Sequence, residues 1–146
     1  MRRNACVLAV AFASLAAAGV AMSGNYGGVS ASYAAKMQRY IHAWFDPSGV
    51  GSVMVCIAER ESGLNPRAYN TNDAWRGESV AGLFQIKWPL WAANNPRIPE
   101  SMKRFWHYRS VTWPQFQARL ADPVQSIRLA FLLYKHGGLG PWGGGC

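Results

Sequence analysis

The chain predicts a mainly α domain with a small β-hairpin region, an α+β fold, on three observations. First, "ASYAAKMQRYIHAWF" and "VQSIRLAFLLYKHGG" repeat apolar residues at the roughly 3.6-residue period of an amphipathic helix. Second, 50% of the 146 residues are hydrophobic, with seven Trp, six Tyr and six Phe, which suits one folded domain with a modest core. Third, "NTNDAWRGESV" is polar and turn-rich, where a small hairpin fits, and the short apolar run "AGLFQI" follows it.

The N-terminus reads as a targeting segment. Arg2 and Arg3 precede the uncharged run Ala5 to Met22, and Gly19-Val20-Ala21 offers the small residues of a cleavage site. Residues 1–23 are expected to be a signal peptide, with a weak membrane anchor as the alternative, and residues 24–32 a linker before a domain over 33–146. Either way the protein is exported: periplasmic, in the cell wall or extracellular, or held at the inner membrane by an uncleaved segment.

The first helix of the domain places Met37, Tyr40, Ile41 and Trp44 on one face, with Ser30 or Ser32 as cap. "DPSG" (Asp46 to Gly49) is a turn, and a second helix runs from about Val50 to Ser62. Three prolines break the stretch from Lys87 to Pro99. Asp122 and Pro123 open a late helix as N-cap and first-turn residues, and Gly137 closes it. Leu129, Leu132 and Leu133 make that helix apolar almost all round, as a central buried helix is.

Fifteen Lys and Arg against seven Asp and Glu give a formal charge of +8, which favours anionic partners such as nucleic acid, an anionic membrane or a negatively charged wall polymer. "SMKRFWHYR" (Ser101 to Arg109) interleaves basic and aromatic residues, but it matches no nucleic-acid-binding motif and the chain is expected to be exported, so no nucleic-acid partner is assigned. His42, His107 and His136 are scattered, with no HExxH and no CxxC, so no metal site and no cofactor are expected. Of the three cysteines, Cys6 leaves with a cleaved signal. Cys56 and Cys146 are then an even pair in an exported protein and are expected to bridge, the alternative being two unrelated buried thiols.

Two of the seven acidic residues, Glu59 and Glu61, stand two positions apart at the end of the second helix. Projected at about 100° per residue, Val50, Met54, Ile57 and Ala58 fall within about 80° of one another. Glu61 falls in the middle of that stripe, whereas Glu59 falls opposite with Arg60 beside it. Glu59 is therefore a surface residue and Glu61 faces the core. Desolvation and the negative end of the helix dipole both favour the protonated form of a carboxyl so placed, as a general acid requires.

"CIAERESGLNPRAYN", followed by "SVAGLFQI" and then "DPVQSIRLAFLLYKHGGLGPW", resembles the lysozyme-like superfamily. The closest branches are the soluble lytic transglycosylases, goose-type lysozymes and resuscitation-promoting factors. The resemblance covers roughly residues 50–95 and 122–146, nearly half the chain. It implies a lysozyme-like catalytic domain whose β-hairpin region borders a glycan groove, with "GLFQI" as a strand lining that groove. Glu61 matches the catalytic acid and Ser62 the residue that supports it. Gln85 and Ile86 match the groove floor that holds an N-acetyl group, and Tyr134 the late tyrosine beside the acid. The resemblance also implies that Cys56 pairs with Cys146.

Trp88 is a candidate sugar platform, as are Trp75, Trp91, Trp106 and Trp113; core packing is the alternative for each. A second carboxylate is missing where hen-type lysozymes carry one, since Ser79-Val80-Ala81 stands there. Asp73 and Glu78 are the candidates for positioning a water, or are ordinary loop residues. With one carboxylate, the economical mechanism is that of a lytic transglycosylase acting on the MurNAc–GlcNAc β-1,4 bond of peptidoglycan. The alternatives are a hydrolytic muramidase or phage lysin, and a non-catalytic wall-binding or virion module. The expected partner is the glycan strand, bound by a monomer that meets membrane only through its N-terminal segment.

Overall fold

The computed structural model describes residues 28–71, 79–88 and 112–146. These residues form a mainly helical fold with a small three-stranded antiparallel sheet. The N-terminal segment, Asp73, Glu78, Trp75, Trp91, Trp106 and the basic-aromatic stretch lie outside them. No helix of the described residues is long and apolar enough to cross a membrane.

Helix α1 spans Ala31–Phe45, so it opens inside the stretch read as linker. Ser30 caps it, its Oγ accepting from the Tyr33 N–H at 3.3 Å. Its fully buried residues are Met37, Ile41 and Phe45, a stripe at spacings of four. Tyr40, assigned to that face from the sequence, is 37% exposed, and Trp44 is half-buried with its ring edge-on to Phe131, 5.6 Å between centroids. A 3-10 turn over Asp46–Ser48 closes with Gly49 in the left-handed region (φ 72°), as "DPSG" predicts.

Helix α2 follows over Gly51–Ser62 and buries Met54, Ile57 and Ala58. It stops where Gly63 (φ 59°) and Leu64 (φ 61°) take left-handed conformations, and their N–H groups close onto the carbonyls of Glu59 and Ala58. Leu64 has a Cβ and so holds that conformation at a cost of about 1 kcal/mol; its 97% burial in the core compensates.

Strands β1 (Tyr69–Asn70) and β2 (Val80–Ala81) pair antiparallel in the register Tyr69↔Ala81 and flank the polar stretch, where the sequence places a hairpin. Strand β3 (Ile86–Lys87) pairs with β2 in the register Ala81↔Ile86. The "GLFQI" segment is therefore not a strand. Gly82 to Gln85 form the turn between β2 and β3, and only its last residue enters a strand.

Helix α3 (Trp113–Leu120) is an element the sequence reading left unassigned. It begins at Thr112, whose N–H donates to Gln115 Oε1 at 3.0 Å, with Pro114 in the first turn, and it buries Phe116 and Leu120. Helix α4 (Pro123–Gly137) starts as expected: Asp122 Oδ1 accepts from the N–H groups of Val124 (2.8 Å) and Gln125 (3.3 Å). The closing residue is Gly138 (φ 57°) rather than Gly137, because only Gly138 takes a positive φ. The helix buries Ile127, Leu129, Ala130 and Leu133, but Val124 is 46% exposed, so one side remains open where a helix buried all round was expected.

The core lies where α1, α2 and α4 meet, and the Gly82–Gln85 turn plugs it with Leu83 and Phe84. Ser126, fully buried on α4, accepts from the Leu83 N–H at 3.0 Å. A Cβ on Gly82 would lie 2.6 Å from Ser126 Oγ and 2.9 Å from Leu120 Cβ, at φ 82°. Gly82→Ala is expected to destabilise the fold by about 2–3 kcal/mol through overlap and left-handed strain together. Denaturant unfolding checks this, and an unchanged midpoint would mean that the turn does not pack against α3 and α4 as described.

Candidate active site

The end of α2 brings Glu61 and Ser62 to the Gly82–Gln85 turn. Ser62 is 98% buried, and its Oγ lies 2.8 Å from the Leu83 carbonyl and 3.0 Å from that of Ala58. A hydroxyl has one proton, so it serves the two carbonyls in turn. The bond to Leu83 O ties the "ESG" step to the "GLFQI" segment across 21 positions. Ser62 therefore supports its neighbour by fixing the backbone and not by offering its hydroxyl to a substrate.

Glu61 itself is not enclosed in the core. Its side chain is 28% exposed, and its Oε1 accepts from Arg60 Nη2 at 2.8 Å and Arg60 Nε at 3.1 Å. The wholly apolar surround expected from the helical projection is not what forms. The helix ends one residue later, so this last turn sits at the rim of the packed region, where a long neighbour reaches across. Among the described residues Oε2 has no hydrogen-bond partner. Glu59 is exposed as predicted and accepts from Gln38 Nε2 of α1 at 2.9 Å.

Arg60 was placed by the sequence on the solvated side. Its charged head instead lies over the C-terminal tail, where Nη2 donates to the Trp142 carbonyl at 3.0 Å and Nη1 to that of Gly145 at 3.3 Å. Trp142 belongs to a 3-10 turn over Gly140–Trp142. Its ring is 91% buried against Phe84, and its Nε1–H donates to the Phe84 carbonyl at 3.1 Å. Cys56, one turn before Arg60 on α2, is disulfide-bonded to Cys146, with 6.0 Å between Cα atoms. The two cysteines thus stand at the distance that the bridge reading expects.

The other predicted site residues divide. Gln85 stands at the turn with a positive φ of 44°, and its Nε2 donates to the carbonyls of Gly82 (3.0 Å) and Ala68 (3.2 Å). Its amide nitrogen thereby holds the turn to the chain beside β1. A non-glycine residue in this conformation is strained, and such strain gathers at functional sites. Ile86 is 97% buried, and its side chain packs in the core. Trp88 is half-buried, edge-on to Trp113 at 6.4 Å, which is the packing alternative for both rings. Tyr134 is half-buried and packs edge-on to Phe45 at 5.8 Å, and no hydrogen bond joins it to Glu61.

A cavity of about 430 Å³ opens between the start of α1 (Val29, Tyr33) and the loop after α2 (Asn65, Pro66, Arg67). Glu61 does not line it. Among the described residues no three His, Cys, Asp or Glu side chains are grouped to hold a metal ion. Chemically, the arrangement offers one accessible carboxyl group with one oxygen held by a guanidinium and the other uncommitted. It stands beside a turn fixed to α2 by Ser62 and to α4 by Ser126.

The chain matches no protein-family model, no curated protein and no solved structure.

Proposed function

We propose that the protein is an exported, lysozyme-like enzyme that cleaves the MurNAc–GlcNAc β-1,4 bond of peptidoglycan as a lytic transglycosylase, with Glu61 as its acid–base residue. The observation that carries this reading is that three separated segments, "ERESG", "GLFQI" and the Trp142–Cys146 tail, meet at the end of α2 through Ser62–Leu83, Trp142–Phe84 and Arg60–Trp142 hydrogen bonds, and Arg60 in turn holds Glu61. Those are the segments that the resemblance to glycan-cleaving domains rests on. The formal charge of +8 suits an anionic wall polymer.

In this mechanism the proton on Glu61 Oε2 passes to the glycosidic O4 as the C1–O4 bond breaks. The 2-acetamido group of MurNAc stabilises the electron-deficient C1. Oε2, now a carboxylate oxygen, takes the proton from the C6 hydroxyl as O6 bonds to C1, which closes a 1,6-anhydro ring and consumes no water. Arg60 donates to Oε1 throughout, since that oxygen accepts both as the carbonyl of the acid and as part of the carboxylate.

The test is the chemistry of the new ends. Purified protein incubated with peptidoglycan is expected to release 1,6-anhydro-MurNAc ends, identified by mass spectrometry. Reducing ends would overturn the transglycosylase mechanism in favour of hydrolysis and turn attention to Asp73 and Glu78. No cleavage of any wall by the folded, disulfide-bonded protein would leave the non-catalytic wall-binding reading.

A further inference from the structure

We infer that Arg60 is the positioning residue of the site and that the C-terminal tail is the strut that holds it. The inference rests on the reading of Glu61 above for its kinetic consequence, but its structural premise stands apart from the reaction. The guanidinium makes four hydrogen bonds to three acceptors: two to Glu61 Oε1, one to Trp142 O and one to Gly145 O. The two carbonyls come from the chain 82 and 85 residues further on.

The pair contributes little to stability. With the Arg60 side chain 45% exposed and that of Glu61 28% exposed, an isolated ion pair here is screened by solvent and worth almost nothing to the fold. What the arrangement supplies is direction. A free glutamate at a helix end samples several rotamers. A planar fork gripping Oε1 from two nitrogens restricts the carboxyl to one orientation and leaves Oε2 outward. Arg60 can act in this way only because its own flexible stem is restrained at its far end. Trp142 O and Gly145 O supply the restraint, Trp142 is itself pinned to the Phe84 carbonyl, and Cys146 is bonded to Cys56 of the same helix. The path runs from the Gly82–Gln85 turn through Trp142 and Arg60 to Glu61. It joins the acid to the groove-side turn by a second route, independent of Ser62.

Arg60→Gln is the test, made in the full chain and assayed on soluble peptidoglycan strands. Misplacing a reacting group by about 1 Å costs up to about a hundredfold in rate, so kcat is expected to fall about tenfold or more while KM stays within about twofold. The unfolding midpoint should stay close to that of the parent protein, as loss of a half-exposed pair entails. Glu61 χ1 couplings measured by nuclear magnetic resonance should report one rotamer in the parent and averaged rotamers in Arg60→Gln. Cys56→Ser/Cys146→Ser should average them too, and adding Arg60→Gln to that pair should change kcat less than it does alone. An unchanged kcat in Arg60→Gln, or an averaged Glu61 in the parent, would overturn the inference. If the parent cleaves no wall, the reading of the function fails, and the coupling measurement decides the positioning role by itself.

Discussion

Glu61→Gln is expected to lower peptidoglycan cleavage by about 10²–10⁴-fold while leaving the fold intact. Glutamine is nearly isosteric with glutamate, and its carbonyl can still accept from Arg60 where Oε1 does now. At 28% exposure the site tolerates the change without burying an unpaired amide. What the amide cannot do is give a proton to a departing O4 or take one from a C6 hydroxyl. Release of soluble sugar ends, followed over time with unfolding curves as the control, measures both sides. Activity retained within about tenfold would remove Glu61 from the chemistry, whatever the products are. Loss of folding would mean that the Arg60 contact matters more to stability than its exposure allows.

The fold was legible wherever one local interaction decides an element. Ser30, Asp122 with Pro123, and the "DPSG" turn each act on a backbone group within three residues, and each stands where the sequence puts it. Helix α3 carried a signal of the same kind, Thr112 with Gln115 three residues on and Pro114 between them, which a search for capping boxes would have found. Burial was harder to read. Periodicity fixes a face but not its edges, so Phe45 replaced Tyr40 in the core stripe of α1, and α4 kept an open side at Val124 that its leucines do not foretell. The "GLFQI" run fits a strand or a buried turn equally well by hydropathy. The Leu83 N–H bond to Ser126, 43 residues away, and the room that Gly82 leaves for it select the turn.

The site was legible to the same depth. The helical projection of α2 leaves Glu59 in solvent, where it lies, but turns Glu61 toward the core, whereas its side chain is 28% exposed at the rim. The projection failed on side-chain reach, because Arg60 starts on the outer side and its long stem carries the charge over to Glu61 and the tail. Its anchors are main-chain carbonyls of Trp142 and Gly145, and a carbonyl leaves no mark in an amino-acid sequence. The resemblance gives Ser62 as the support of the acid and Gln85 as part of the groove floor, and hydrogen bonds from both run to backbone carbonyls, of Ala58 and Leu83 for Ser62 and of Ala68 and Gly82 for Gln85. Residues that shape the turn and residues that touch a sugar are equally confined to it, and the sequence does not separate the two.

Removing the disulfide with Cys56→Ser/Cys146→Ser is expected to destabilise the protein by about 2–5 kcal/mol. The bridge closes a loop of 90 residues that contains the three-stranded sheet, α3 and α4, and leaves α1, the 3-10 turn Asp46–Ser48 and the start of α2 outside it. In the unfolded chain this one cross-link therefore restricts most of the domain, and the chain-entropy gain for a loop of that length is near the upper end of the range. The folded state loses as well. The tail after α4 is short and rich in glycine, and among the described residues it is held noncovalently by the Trp142 ring with its Nε1–H bond to Phe84 O, by Leu139 packed on the core and by the Arg60 bonds. With glycines at 143, 144 and 145, that tail gains more conformational freedom on release than any other composition would give it. Thermal unfolding under non-reducing conditions should drop by about 10 °C or more in the double serine variant, and addition of a reductant should bring the parent protein down to the same midpoint. A midpoint indifferent to both treatments would mean that the noncovalent contacts of Leu139, Trp142 and Arg60 suffice to fasten the tail, and the disulfide would then have no part in shaping the ground on which Glu61 stands.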